Sequence, residues 1–396
     1  MKLPDVETSA GTRRLLETLG SKQGQTRYVG GWVRDTLLGL PVSDMDLATR
    51  HRPEDVIALL RKAGIKAVPT GLAHGTITAV VESRPIEVTT LRRDVATDGR
   101  RATIAYTDDW VEDAARRDFT INALSADPET GEVHDYFGGE ADLEGGLVRF
   151  IGDPLIRIAE DHLRILRFFR FHARFGRGAP DEAALDACTT RANDLMALSR
   201  ERIADEVTKL LSLVAPAGAI RLMIERGILK PVLPEIVDWA PLERLIAREA
   251  QAGLAGDPIR RFAALLPADP DVAGAVGARL RLSNKAVKRL VSAASRQIEA
   301  SPEILAYRIG REEAVDRLLL GDGDPAAATG LLGWERPQLR VSGGTLIRMG
   351  LAPGPIVAAT MEDMKRLWAE AGFPGDADAQ ARLAEQAVAQ ALRASQ

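Results

Sequence analysis

Cysteine is nearly absent from this 396-residue chain, which has one, Cys188. A single cysteine excludes an internal disulfide and any zinc site built from several cysteines. No run of eighteen apolar residues occurs, so we expect no membrane-spanning helix. Residues 1–14 have no apolar signal core, and the sequence therefore predicts a protein of the cytoplasm.

A net positive charge is also missing, because the formal net charge is −4 at pH 7. This net charge does not indicate nucleic-acid binding. However, local arginine clusters, rather than the net charge, set the electrostatic field near a bound polyanion. Histidine is scarce, and all five histidines lie at or before His172. The C-terminal half therefore lacks the residues for a His-Asp metal phosphohydrolase domain.

The length predicts two or three domains, and the residue pattern changes near position 150. Strand-like runs dominate before it, whereas afterwards Ala, Leu, Arg and Glu recur at helical spacing. We therefore predict an α+β head over residues 1–147, a helical neck over 148–240 and a helical body and tail over 241–396. Strands are predicted at 26–29, 45–48, 76–81 and 86–91, and helices at 8–19, 54–63 and 200–211.

The segment 28–46 is the most informative in the chain. Gly30 and Gly31 follow an apolar run, and Asp44 and Asp46 come later at a spacing of two. In a strand, residues at this spacing point to one face, so both carboxylates would converge. Converging carboxylates suit Mg²⁺ when phosphates complete its shell, and glycines allow backbone N–H groups to approach a phosphate. The pattern predicts phosphoryl or nucleotidyl transfer.

Each half of this signal is weak alone, since Asp-x-Asp is common and a Gly-Gly turn is usually only a turn. The combination resembles the nucleotidyltransferase superfamily that includes DNA polymerase β. The fuller pattern, GGWVRDTLLG followed by DMDLAT, is similar to its class II branch of bacterial tRNA nucleotidyltransferases and poly(A) polymerases. The resemblance implies a polymerase-β-like head with a small mixed sheet, Mg²⁺ bound by Asp44 and Asp46, and a nucleotide contact at Arg34.

Glu87 lies in an alternating segment that predicts a strand. From the local pattern alone, an exposed strand glutamate is the preferred interpretation. The resemblance instead implies a third catalytic carboxylate on the strand that follows the Asp-x-Asp pair. Such an acid would share a metal ion or favour deprotonation of a 3′ hydroxyl.

Residues 116–124, RRDFTINAL, form a second motif that is typical of the family. Arg116 and Arg117 offer planar donors to a triphosphate. Asp118 can accept from a ribose hydroxyl, and Asn122 lies one helical turn further on the same side. The alternative is a charged helix start in which Asp118 is only the N-cap.

Residues 153–171 form a predicted helix in which Asp161 and Arg164 are three positions apart and hence neighbours. Arg167 and Arg170 continue the same stripe. Taken alone, the pattern indicates an ion pair within the helix and a basic surface stripe. The family pattern Glu-Asp-x-x-Arg-x-x-Arg matches here, and the resemblance implies that this helix selects the incoming nucleotide without a nucleic-acid template.

The chemistry of such a selection is simple. Cytosine and adenine both present an exocyclic amine beside a ring nitrogen, so Asp161 can accept from the amine while Arg164 donates to the ring. Uracil and guanine place a carbonyl oxygen against the carboxylate, which costs roughly 1–3 kcal/mol. These two residues are therefore expected to admit CTP and ATP and to reject UTP and GTP.

The resemblance is dense over residues 26–211 and thin afterwards. It implies that the helical body and tail, residues 241–396, bind RNA. It implies template-independent addition of C and A to the 3′ end of tRNA from CTP and ATP, with pyrophosphate released. A poly(A) polymerase and an enzyme that adds only CC or only A share the same head and stay open. An inactive RNA-binding protein on the same scaffold is the alternative from another class, which intact Asp44, Asp46 and Glu87 disfavour.

Overall fold

The structure is a computed structural model that describes residues 2–4, 8–42, 44–98 and 101–394. Its contacts divide the chain into two compact units, Met1–Val237 and Asp238–Gln396. The predicted boundary between head and neck lies inside the first unit and stays a prediction. No helix in the described ranges has both the length and the apolar character needed to span a bilayer.

The head contains a mixed seven-stranded sheet and a separate two-stranded hairpin. The strands are β1 (Thr26–Val29), β2 (Asp46–Thr49), β3 (Lys66–Gly71), β4 (Thr76–Val81), β5 (Arg84–Thr90), β6 (Arg92–Asp98), β7 (Arg101–Tyr106), β8 (Ser125–Ala126) and β9 (Val133–His134). The large sheet has the order β3-β4-β5-β2-β1-β8-β9, and β6 pairs with β7 in the hairpin. Strands β2 and β5 are parallel, whereas the other neighbours are antiparallel. The predicted α+β head with a small mixed sheet is confirmed.

Ten α-helices lie in the described residues of the first unit. They are α1 (Ala10–Thr18), α2 (Gly31–Leu37), α3 (Pro53–Lys62), α4 (Trp110–Ala115), α5 (Gly139–Gly145), α6 (Pro154–Glu160), α7 (Arg164–Phe175), α8 (Glu182–Thr190), α9 (Arg200–Leu211) and α10 (Ala217–Glu225). The single helix predicted over 153–171 is wrong, because the chain leaves the helix at Asp161, where φ is −152°. A short 3₁₀ turn, Thr120–Asn122, follows α4.

An aromatic cluster fixes this turn against α7. Phe119, Phe150 and Phe168 are almost fully buried, and the rings of Phe119 and Phe150 lie 4.7 Å apart. A backbone bridge also joins Phe119 to Phe150. Because buried aromatic pairs add directional packing to the area that they bury, the segment after Phe119 has a fixed position relative to α7.

The second unit is entirely helical in its described residues. Its helices are α11 (Ala240–Gln251), α12 (Pro258–Leu265), α13 (Pro270–Arg279), α14 (Asn284–Ser295), α15 (Pro302–Ile309), α16 (Arg311–Leu320), α17 (Pro325–Gly330), α18 (Gly343–Arg348), α19 (Pro355–Glu370) and α20 (Ala377–Ala394). Within the described chain, no strand follows His134. The predicted change from mixed to helical structure is confirmed.

A buried network of charges joins α11, α12, α14 and α16. Asp316 is fully buried and accepts from Nε of Arg260 at 2.8 Å and from Nε of Arg289 at 2.7 Å. Glu249 accepts from Nη1 of Arg260 at 2.8 Å. Each buried carboxylate therefore has guanidinium partners, which is the condition for burying charge without a large penalty.

Replacing Asp316 with alanine is expected to lower the free energy of unfolding of the second unit by about 3–5 kcal/mol, because Arg260 and Arg289 would lose the buried carboxylate that they share and their positive charge would be only partly compensated. Urea unfolding of the full chain, followed by circular dichroism, measures the effect. Asp322→Ala, at an exposed position of the same unit, is the matched control. A loss below about 1 kcal/mol, the value of an exposed ion pair, would contradict the stabilising role.

Candidate functional site

Three predicted carboxylates come together where the start of β2 lies beside the middle of β5. Asp46 begins β2 and lies beside Glu87 in parallel register. Asp44 lies before the strand, so the prediction that both aspartates belong to one strand is wrong; pairing with β5 begins only at Asp46. Asp44 and Asp46 nevertheless line the same cavity of about 260 Å³. The two carboxylates therefore share a cavity although only Asp46 belongs to the strand.

The environment of Asp46 suits a bound cation. Burial raises the pKa of Asp46 to about 6, and repulsion from Glu87 and Asp44 acts in the same direction, while Arg117 opposes it. A divalent cation would relieve this repulsion and favour the ionised carboxylates. No group of three or more His, Cys, Asp or Glu side chains in the described ranges forms a complete metal site. Asp44 and Asp46 thus fit a metal ion whose other ligands come from substrate or water.

The Gly-Gly turn connects β1 to α2. Gly30 has φ +68°, and a Cβ at this position would lie 2.6 Å from Nη1 of Arg117. Both the backbone conformation and the available space therefore require glycine here. Gly31 lines the carboxylate cavity and also a second cavity of about 440 Å³. The turn is the point at which the two cavities adjoin.

The second cavity contains most of the predicted nucleotide-binding residues. Its lining consists of Gly31, Arg34, Arg117, Asp118, Asn122, Asp161, Leu163, Arg164, Arg167, Phe171 and Arg202. Five arginines face two aspartates, so the cavity attracts an anionic ligand. Guanidinium groups are the preferred donors to phosphate because of their planar geometry.

Asp118 is the centre of the polar network in this cavity. Its Oδ1 accepts from Nδ2 of Asn122 at 2.9 Å, and its Oδ2 accepts from Nε of Arg167 at 2.7 Å. Burial opposes ionisation of Asp118, but Arg167 and these hydrogen bonds outweigh it and keep the pKa below its usual range. Asn122 lies in the 3₁₀ turn and not on a continuing α-helix as predicted. Asp118 is therefore a buried acceptor within the cavity rather than only a helix cap.

Arg34 and Arg117 are held in place by buried partners. Arg34 donates to the side-chain oxygen of Asn122 and lies 4.2 Å from the ring centre of Phe175. Burial lowers the pKa of Arg34 and of Arg117, and Asp113 opposes this shift at Arg117. Two guanidiniums fixed in a buried site can meet a phosphate without losing much side-chain entropy.

Two predicted arginine contacts lie outside the cavity lining, as does Gly30. Arg116 turns to Asp113, with 2.8 Å between Nε and the carboxylate. Arg170 donates from Nε to the buried Glu206 at 2.6 Å. Both side chains are already engaged by carboxylates, so the structure does not bring them into the site.

Asp161 and Arg164 do not form the ion pair that their spacing alone indicates. Because the helix is interrupted at Asp161, Arg164 turns back to Glu160, and Asp161 accepts from Nη2 of Arg202 at 2.8 Å. Asp161 and Arg164 both still line the cavity. The two side chains therefore reach a ligand separately, each with its own partner.

The sequence did not single out Arg202 as a site residue. It lies in the predicted helix 200–211, four positions before Glu206, so both project from one face of α9. Glu206 is buried because that face packs against α7. Two charged residues at this spacing on the packing face of an amphipathic helix are the sequence signal that could have identified Arg202.

Comparisons with known families support a nucleotidyltransferase head. Residues 26–149 match the family described as the poly A polymerase head domain. Residues 179–239 match the family described as a probable RNA and SrmB-binding site of polymerase A. The glycine–aspartate motif and RRDFTINAL lie in the first matched range, whereas residues 160–167 lie between the two ranges.

The chain is also similar to complete proteins. It is 32% identical to the mouse (Mus musculus) protein named CCA tRNA nucleotidyltransferase 1, mitochondrial, over 93% of this chain and 88% of that protein. It is 31% identical to a CCA-adding enzyme of Anoxybacillus flavithermus, over 89% of this chain and 90% of that protein. The crystal structure of the Bacillus stearothermophilus CCA-adding enzyme in complex with CTP matches with a TM-score of 0.76 and 27% identity, covering 96% and 98% of the two chains.

Proposed function

The chain belongs to the family of CCA-adding tRNA nucleotidyltransferases, and we propose that it adds C, C and A to the 3′ end of tRNA. CTP and ATP are the nucleotide substrates, and pyrophosphate is the second product. The observation that carries this proposal is the position of a nucleotide-sized cavity directly beside a carboxylate cluster, with Gly31 common to both.

Nucleotidyltransferases of this kind typically use a divalent metal ion, and we propose Mg²⁺ at Asp44 and Asp46. The bound ion supplies Lewis-acid stabilisation of charge at the reacting phosphate and favours the ionised 3′ hydroxyl. Glu87 lies beside Asp46 and favours loss of the hydroxyl proton through its negative charge. Gly30 and Gly31 leave room for phosphates at the turn.

The residues of the larger cavity divide into three proposed roles. Arg34 and Arg117 bind the triphosphate, since both are buried cations next to the glycine turn. Asp118 and Asn122 bind the ribose hydroxyls, because they form a fixed acceptor and donor pair. Asp161 and Arg164 read the base, while Arg167, Arg170 and Arg116 position the carboxylates that they pair with.

Arg202→Ala is expected to raise the KM for CTP and ATP by about tenfold, because Asp161 loses the hydrogen bond that orients it. The same variant is expected to incorporate UTP more often than the wild type. Steady-state kinetics with each nucleotide measures both effects. Lys209→Ala, at an exposed position of the same helix, is the control. Unchanged KM values and unchanged UTP incorporation would remove Arg202 from the base-reading site.

Three tRNA transcripts, lacking CCA, CA or A, test the proposed activity. With CTP alone we expect two nucleotides on the first transcript, one on the second and none on the third. With ATP alone we expect one nucleotide on the third only. A run of A on every transcript would indicate a poly(A) polymerase, and extension by only C or only A would indicate a partial enzyme. No metal-dependent extension would indicate an RNA-binding protein on this scaffold.

The compartment in which the protein acts stays a prediction. The sequence predicts the cytoplasm, whereas the similar proteins of mouse and human carry the word mitochondrial in their names. We propose the cytoplasm, as for the bacterial members of the family. Fractionation of the cells that produce the protein tests this assignment.

A further inference from the structure

Three arginines lie on, or next to, the face of the sheet that carries Asp46 and have no role so far. Arg27 of β1 is directly opposite Ala48 of β2, and Ala48 is on the same face as Asp46, two residues away. The backbone N–H of Arg50 continues the pairing by donating to Gln25. We call Arg27, Arg50 and Arg52 the arginine patch.

The guanidinium groups of the arginine patch lie against aromatic rings. The guanidinium carbon of Arg27 lies 4.3 Å from the ring centre of Trp110, and that of Arg50 lies 5.6 Å from the same ring. Arg52 lies 5.2 Å from the ring centre of Tyr106. Trp110 itself is buried against the sheet. Stacking on fixed rings holds the guanidinium planes in place at little entropic cost.

The guanidiniums of the patch have weak counter-charges. Arg27 donates from Nη1 to the neutral hydroxyl of Tyr136 at 2.9 Å, and Arg50 donates from Nε to the backbone oxygen of Asp108. Arg52 approaches the exposed carboxylate of Asp108 only to 3.8 Å. Within the described ranges, Nε of Arg27 and Nη1 of Arg52 have no acceptor. The patch is therefore a positive surface in a chain of net negative charge.

The position of the patch relates it to the reaction. A strand advances about 3.3 Å per residue, so Ala48 and its partner Arg27 lie about 7 Å along the sheet from Asp46. The glycine turn and the nucleotide cavity follow the opposite end of β1. The carboxylates thus lie between two basic regions. A nucleotide in one region leaves the other for the strand that supplies the attacking hydroxyl.

We propose that the arginine patch binds backbone phosphates next to the 3′ end of the acceptor RNA and so directs the terminal hydroxyl to Asp44 and Asp46. This inference rests on the proposed function and adds the path of the acceptor strand. Contacts with phosphates position a strand without reading its sequence. The patch therefore accepts any tRNA, while the cavity beyond the glycine turn chooses the nucleotide.

Arg27→Gln and Arg50→Gln test the proposal separately. Each is expected to weaken binding of a tRNA lacking CCA, measured without nucleotide, by about tenfold. The slope of the logarithm of the binding constant against the logarithm of the salt concentration is expected to fall by about one, because one fewer counterion is released. The KM for CTP is expected to stay at the wild-type value. Arg61→Gln, at an exposed position of α3, is the matched control, and thermal unfolding verifies that each variant is folded.

Neutral phosphates give the sharper test. A tRNA with methylphosphonate linkages at its last three positions is expected to bind the wild type more weakly, with no further loss in Arg27→Gln. Equal losses for both proteins would mean that the patch contacts other phosphates or none, and would overturn the proposal. Wild-type RNA affinity in both glutamine variants would also overturn it. Failure of the wild type to extend tRNA is a separate outcome that rejects the proposed function.

Discussion

Asp46→Asn is expected to lower the rate of nucleotide addition at least about a thousandfold, or about 4 kcal/mol of transition-state stabilisation. The substitution keeps the shape of the side chain but removes one of the two charges that would hold the metal ion. Asp46 is the partly buried member of the cluster and pairs directly with the strand of Glu87. Its charge therefore acts at the point where phosphate charge develops.

Single-turnover extension of a tRNA lacking CCA, with saturating CTP, measures this loss. Asp55→Asn, at an exposed position of α3, is the control and is expected to react at the wild-type rate. The Asp46 variant is expected to retain its affinity for tRNA, because no phosphate contact is assigned to this carboxylate. A rate within tenfold of the wild type would show that Asp46 does not hold the catalytic metal ion.

Asp161→Ala is expected to relax the choice of base by about 5- to 150-fold, which corresponds to about 1–3 kcal/mol. The carboxylate is the acceptor that favours an exocyclic amine and opposes a carbonyl oxygen. Its removal also leaves Arg202 without its 2.8 Å partner. We therefore expect CTP and ATP to be used less efficiently and UTP and GTP to be used more.

The ratio of kcat/KM for CTP to that for UTP, measured on the same tRNA, isolates this effect from any general loss of rate. Asp205→Ala, at an exposed position of α9, is the matched control and is expected to leave the ratio unchanged. If UTP and GTP incorporation stay negligible in the Asp161 variant, base reading by this carboxylate is wrong. Another group in the cavity would then choose the nucleotide.

Regular periodic segments could be predicted from the sequence. The strands at 26–29 and 76–81 and the helix at 200–211 have the predicted bounds. In each, apolar residues repeat at a spacing that matches one buried face, so local pattern and packing agree. The hairpin of β6 and β7 was not predicted, because its polar sequence has no such alternation.

The details of the site depend on contacts between distant segments. The sequence places Asp161 and Arg164 at helical spacing, but their partners, Arg202 and Glu160, are decided by the break between α6 and α7. Asp44 lies outside β2 for a similar reason, since pairing with the parallel strand β5 begins only at Asp46. The spacing of residues in the sequence identified the carboxylates and guanidiniums of the site. The partner of each side chain could be determined only from the tertiary structure.

The central claim is that protein side chains, and not a nucleic-acid template, determine which nucleotides are added. The most direct test supplies all four nucleoside triphosphates at equal concentrations to a tRNA lacking CCA and determines the product ends by mass spectrometry. The account predicts one product, extended by CCA and by nothing more. Ends of mixed sequence, or tails of A alone, would contradict it.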